Sequence, residues 1–83
     1  MTKERAIEIL TNYHAWLSNN EGLYWSASEV NSAIRFAEPE FKDENAATII
    51  REHRNWIEFG QPFFHTLEVL NESLIIAVEN LKK

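Results

Sequence analysis

The three histidines, His14, His53 and His65, are the side chains best suited to chemistry in this chain. A helical zinc site needs a second His or a carboxylate one turn away, at three- or four-residue spacing. The residues three before each His are Thr11, Ile50 and Pro62, and those four before are Leu10, Ile49 and Gln61. None is such a ligand, so no metal is expected. His53 falls within an apolar stripe, which predicts a hydrogen-bonded core imidazole, while His14 and His65 belong at stripe edges or in solvent. The chain carries 13 Asp and Glu. Catalysis by a carboxylate pair, however, requires both in one cleft with their pKa values pushed apart. Short helices offer no evident cleft, and Glu52 and Glu58 read as solvated. Ser and Thr fall at helix caps and polar faces, with no strained turn to activate a nucleophile. There is no Cys and no Gly-rich phosphate loop. Neither an enzyme nor a cofactor is expected.

The sequence offers apolar surface instead. Its 83 residues make one domain (1–83), and a domain of this size buries only about two-thirds of the surface its unfolded chain exposes. Yet 45% of the residues are hydrophobic, with three Trp, two Tyr and five Phe. Rings in such number are expected to spill onto a rim or an interface, where Trp and Tyr are favoured. The candidate protein-binding residues are Trp16, Tyr24, Trp25, Trp56 and Phe59. Phe59 stands out because it lies nearly opposite Ile50 and Ile57 on its helix. For Trp25 a packing role is the stronger reading. Val69 and Ile76, one heptad apart behind the core stripe of the last helix, read as a self-association seam that would make a homodimer. The alternative is a helix packed on most of its sides.

Net charge is −5. The excess lies in the middle, where Glu21, Glu29, Glu38, Glu40, Asp43 and Glu44 face only Arg35 and Lys42. An acidic chain repels phosphate backbones, so nucleic acid is a disfavoured partner. The charge serves solubility, or a face that meets a basic partner. If nucleic acid were bound, Arg35, Arg51 and Arg54 would touch it, although ion pairing with nearby Glu is their default use. No apolar run is long enough to cross a membrane. Met1 to Arg5 is polar and lacks the features of a signal peptide. A cytoplasmic location is expected.

These residues are positioned by four helices, an all-α architecture. The first spans about Lys3 to Ser18, capped by Thr2. Ala6, Leu10, Tyr13 and Leu17 form its stripe, and Ile7, Ile9, His14 and Trp16 flank it. Asn19, Asn20 and Gly22 end it, the glycine being suited to the left-handed stop. The second opens on Ser26-Ala27-Ser28-Glu29, which has capping-box spacing, with Trp25 and Val30 placed as a hydrophobic staple. It carries Val30, Ala33, Ile34 and Ala37 and ends by Glu38, ahead of Pro39. The third starts from Asp43, carries Ala46, Ile50, His53 and Ile57, and stops at Gly60. The fourth is predicted from Pro62, a suitable first helical residue, to about Leu81. Its stripe is Phe63, Leu67, Leu70, Leu74, Val78 and Leu81.

The first and third helices match at an offset of forty residues. Ala6, Ile9, Leu10, Tyr13, Trp16 and Leu17 fall on Ala46, Ile49, Ile50, His53, Trp56 and Ile57. Aromatic pairs follow, Tyr24-Trp25 and Phe63-Phe64, and then Glu29-Val30 and Glu68-Val69. The pattern suggests a duplicated helix hairpin.

The opening Met1-Thr2-Lys3-Glu4-Arg5-Ala6-Ile7-Glu8-Ile9-Leu10 with Tyr13 and Trp16, and the close Ile76-Ala77-Val78-Glu79-Asn80-Leu81-Lys82-Lys83, resemble short accessory proteins of phages and mobile elements. The resemblance covers about thirty residues. It implies a phage-encoded inhibitor that acts on a host defence protein by direct contact, and it carries no site residue with it. A looser set, Tyr24, Glu29-Val30-Asn31, Ile34, Asp43 and Arg51, is similar to a winged-helix family. That likeness implies a helix-turn-helix DNA-binding regulator, although the segment after Gly60 reads as helix where a wing would stand.

Overall fold

The computed structural model describes residues 1–83. It contains α1 (Lys3–Asn19), α2 (Ala27–Ala37), α3 (Glu44–Phe59) and α4 (Leu67–Lys82), with a 3-10 turn at Glu38–Glu40 after α2, and no strands. The four-helix, all-α expectation holds. No helix is long and apolar enough to cross a membrane.

Most of the helix ends follow from local chemistry. Each helix leaves its first amides unpaired, and a side-chain oxygen just before it can accept from one of them. The Thr2 hydroxyl accepts from the Arg5 amide, and the Asp43 carboxylate from those of Asn45 and Ala46. At α2 the capping box is complete: the Glu29 amide donates to the Ser26 hydroxyl at 3.1 Å, and the Ser26 amide donates to the Glu29 carboxylate at 3.1 Å.

Two ends depart from expectation. The left-handed residue that stops α1 is Asn20 (φ 57°), not Gly22. Its amide donates to the Trp16 carbonyl, and Asn tolerates this conformation better than other residues with a Cβ. The fourth helix does not start at Pro62. Residues 61–66 stay outside the helix, and Thr66 caps α4 by accepting from the Val69 amide. A proline can begin a helix but does not compel one, whereas a hydroxyl at the cap satisfies an otherwise orphaned amide.

The helices pack in a ring, with α1 and α3 each against both α2 and α4. One core serves the whole chain. At its centre Ile9, Leu10, Val30, Ile34, Ile50, Leu74 and Leu81 are wholly enclosed, each contributing about 1.5–3 kcal/mol by leaving water. The stripes on α1, α2 and α3 point inward as expected, except that Leu17 and Ile57 are only half-buried. The α4 stripe is corrected: Leu70, Leu74, Ala77 and Leu81 are buried, Phe63 and Val78 half-buried, and Leu67 exposed.

The forty-residue offset extends over the whole chain. Helix and loop states of residues 1–40 recur in 41–80 with only end effects, and the pattern of buried and exposed positions nearly repeats. The caps Ser26 and Thr66 correspond, as do the left-handed stops Asn20 and Gly60. The aromatic and Glu-Val matches one residue out of step are therefore corrected. Leu23-Tyr24-Trp25 falls on Phe63-Phe64-His65, and Val30 falls on Leu70. Asn31 and Asn71 correspond too, and the side-chain carbonyl of each is enclosed without a hydrogen-bond partner.

The two halves join along unlike seams. Between α2 and α3, Arg54 donates to Glu38 at 2.8 Å and to Glu58 at 3.5 Å, and Arg35 also pairs with Glu58. Glu58 is thus an ion-pair partner for two arginines and not simply solvated. The equivalent positions between α4 and α1 are His14, Val78, Ser18 and Ile75, and no ion pair forms there.

Candidate functional site

Tyr13 on α1 and His53 on α3 occupy equivalent positions, and they touch each other. The Tyr13 hydroxyl and His53 Nε2 are 2.6 Å apart and both side chains are buried. If Tyr13 donates, only one polar group, the His53 Nδ1–H, is left unpaired. If Nε2–H donated, both the phenol hydrogen and the Nδ1 lone pair would lack partners. Burial makes the second arrangement the costlier one, which assigns Tyr13 as donor and Nδ1–H as the proton-bearing nitrogen. Burial lowers the His53 pKa to about 4 and raises that of Tyr13 to about 12, so both are neutral near pH 7. This is the hydrogen-bonded core imidazole expected at position 53.

Around this pair lies a run of rings. Trp16 packs on Tyr13 with centroids 5.7 Å apart, and Trp56 stacks on His53 at 5.4 Å. Phe63 meets the other side of His53 edge-on at 5.0 Å, and His65 follows at 5.3 Å. The two tryptophans remain 37% and 50% exposed.

Two apolar clefts open beside them. One, of about 460 Å³, is lined by Tyr13, Trp16, Leu23, Ala27, Val30, Trp56 and Ile57. The other, of about 330 Å³, includes His53, Trp56, Phe63, Leu67, Leu70, Trp16 and Leu17. Adding forty to Tyr13, Trp16, Leu23, Ala27 and Val30, and subtracting forty from Trp56 and Ile57, turns the first set into those seven residues of the second, which Tyr13 and His65 complete. Both clefts are therefore built from one half's helix start and the other half's tryptophan. Such a reciprocal exchange is the signature of a two-fold relation.

Polar tethers hold the loops beside the clefts. The Asn12 side chain donates to the Gly22 carbonyl at 3.0 Å and accepts from the Tyr24 amide at 3.0 Å. At the equivalent position Glu52 contacts His65 Nε2 at 3.2 Å, so Glu52 is not merely solvated. Neither tether has a periodic signature in the sequence, although the forty-residue offset relates them.

The expected contact residues divide. Trp16, Tyr24, Trp56 and Phe59 are exposed, Tyr24 to 81%. Trp25 is half-buried against the core, with the Arg5 guanidinium 5.1 Å above its ring, in keeping with its packing reading. Only Trp16 and Trp56 line the clefts. Phe64, 87% exposed, and Leu67 went unrecognised as surface residues, though the offset from Tyr24 and Ala27 would have placed them. Val69 and Ile76 are both half-buried, because α4 packs on α1, α3, α2 and the 3-10 turn. The exposed large apolar residues of α4 are Leu67 and Ile75. Of the three arginines, Arg35 and Arg54 are ion-paired and Arg51 is exposed. No three His, Asp or Glu side chains converge as a metal site would require.

No protein-family model, curated protein or solved structure matches the chain.

Proposed function

We propose that this chain is a small protein-binding module whose working surface is the face around Trp16 and Trp56. The observation that carries the reading is two large rings left part-exposed at the mouths of two apolar clefts. Partly exposed tryptophans over apolar pockets are the kind of anchor that dominates protein interfaces. The resemblance of both chain ends to phage accessory proteins supports one use of such a module: inhibition of a host defence protein by covering its surface.

Nucleic-acid binding draws less support. Arg35 and Arg54 already share carboxylates, which leaves Arg51 without a basic neighbour on a chain of net charge −5.

The test is capture from the native host's lysate with a tagged chain, comparing wild type with the Trp16→Ala, Trp56→Ala double variant. Both rings are at least a third exposed, so the variant is expected to stay folded by circular dichroism and to lose the captured protein. Equal capture by a folded double variant would place binding elsewhere. Salt-sensitive retention of random duplex DNA at micromolar protein would instead favour the regulator.

A further inference from the structure

We infer that the face takes a two-fold symmetric protein dimer, one chain spanning the dimer axis with an apolar anchor from each partner subunit in each cleft. This deepens the protein-binding reading and rests on it. The argument begins with Tyr13 and His53. A residue that touches its own equivalent lies beside the axis relating the halves, and these two meet at 2.6 Å. Trp16 and Trp56 line both clefts, so the clefts flank that same axis. The surface therefore repeats one subsite twice in a two-fold arrangement, and a surface of that kind is matched by a partner with the same symmetry.

Charge selects the partner's chemistry. The first turns of α2 and α4 carry Glu29, whose carboxylate is tied to the Ser26 amide and hydroxyl, and Glu68; neither lines a cleft, but both add negative charge to the helix ends that do. Glu21 lies in the loop before Leu23, and Glu52 holds His65 at the rim of the second cleft. Arg35 and Arg54 are committed to Glu38 and Glu58, Arg5 lies over the Trp25 ring, and Arg51 is the exposed arginine that forms no ion pair. Apolar clefts on a chain of net charge −5 fit anchors flanked by Lys or Arg. A second copy of this chain would instead bring another net charge of −5 to the face, which argues against self-association through it.

The two clefts are not the same size. Leu23, Ala27 and Val30 in the first are replaced by the larger Phe63, Leu67 and Leu70 in the second. The two anchors are therefore expected to bind with unequal strength, the bulkier side chain favouring the roomier cleft.

Ala27 and Leu67 supply the test. Both are exposed first residues of their helices, where Glu is compatible with the helix dipole, so Ala27→Glu and Leu67→Glu each close one cleft without disturbing the core. The probe is the peptide most enriched from a random display library selected on the wild-type chain, made as a monomer and as a disulfide-linked dimer with a flexible linker. Calorimetry is expected to give two monomeric peptides per chain and one dimeric peptide per chain, the dimer binding at least about 100-fold tighter. Either single variant should halve the monomer stoichiometry and remove the dimer's advantage, and the double variant should bind neither. One monomer per chain with no gain for the dimer overturns the two-fold inference while protein binding stands. Enriched peptides indifferent to both substitutions overturn the inference and the Trp16–Trp56 face together. A wild-type dimer in light scattering that Ala27→Glu with Leu67→Glu converts to monomer assigns the face to a second copy and overturns the inference.

Discussion

His53 is neutral because water cannot reach it, and that has a consequence for stability. Its pKa falls to about 4 in the fold, against an ordinary 6.5 when unfolded. Between these values the unfolded chain binds a proton that the native chain does not, so acid favours unfolding. The contribution is fully retained above pH 6.5 and falls by about 1.4 kcal/mol per pH unit, to a total loss of about 3 kcal/mol by pH 4. Urea denaturation from pH 7 to 4.5 should show a steeper loss for wild type than for His53→Phe; parallel curves would mean that the imidazole titrates normally. Tyr13 works in the opposite direction. With its pKa raised to about 12, stability is intact below pH 10 and declines as pH rises toward 12. Tyr13→Phe strips His53 of its only hydrogen-bond partner and should cost about 1–3 kcal/mol at pH 7 by the same measurement.

Among the elements, equivalent helix ends use different residues for the same task, and the differences are measurable. Asn20 and Gly60 both stop their helices in the left-handed region, but only Asn20 carries a Cβ there. Asn20→Gly should raise stability by up to about 1 kcal/mol, and Gly60→Ala should lower it by about 1–2 kcal/mol. A melting temperature that moves the same way in both variants would contradict this. Thr66 is the cap that the reading from Pro62 overlooked. Thr66→Ala should cost about 1 kcal/mol, close to the cost of Ser26→Ala at the equivalent position, whereas a helix begun at Pro62 would make Thr66→Ala nearly silent.

At the scale of the whole molecule, two related hairpins close one core but join along unlike seams. The α2–α3 seam holds the Arg35, Glu38, Arg54 and Glu58 cluster, with the Arg54 side chain only 12% exposed. Removing it leaves Glu38 without its partner and Glu58 with Arg35 alone. Arg54→Ala should cost about 1–3 kcal/mol, and part of the cost should vanish in 1 M salt, where the ion pairing it removes is already screened in the wild type. At the equivalent place on the α1–α4 seam, His14→Ala removes no ion pair and should cost under about 1 kcal/mol with no salt dependence. Denaturation of both variants at low and high salt tests whether the seams are held by different forces. Trp16 and Trp56, by contrast, are the same residue at equivalent positions of the two halves.

The sequence alone determined the number of helices, most of their ends and most of the inward positions on α1, α2 and α3. Caps act within four residues and stripes repeat every turn, so both can be read from neighbours along the chain. It also placed His53 in the core and four of the five candidate aromatics at the surface. Only the tertiary structure decided that Tyr13 and His53, forty residues apart, would bond to each other, and that Trp16 and Trp56 would line both clefts while Tyr24 and Phe59 line neither. It likewise decided that Val69 and Ile76 would be half-covered. The degree to which a residue at a stripe's edge is covered depends on how neighbouring helices cross, and no local pattern encodes that.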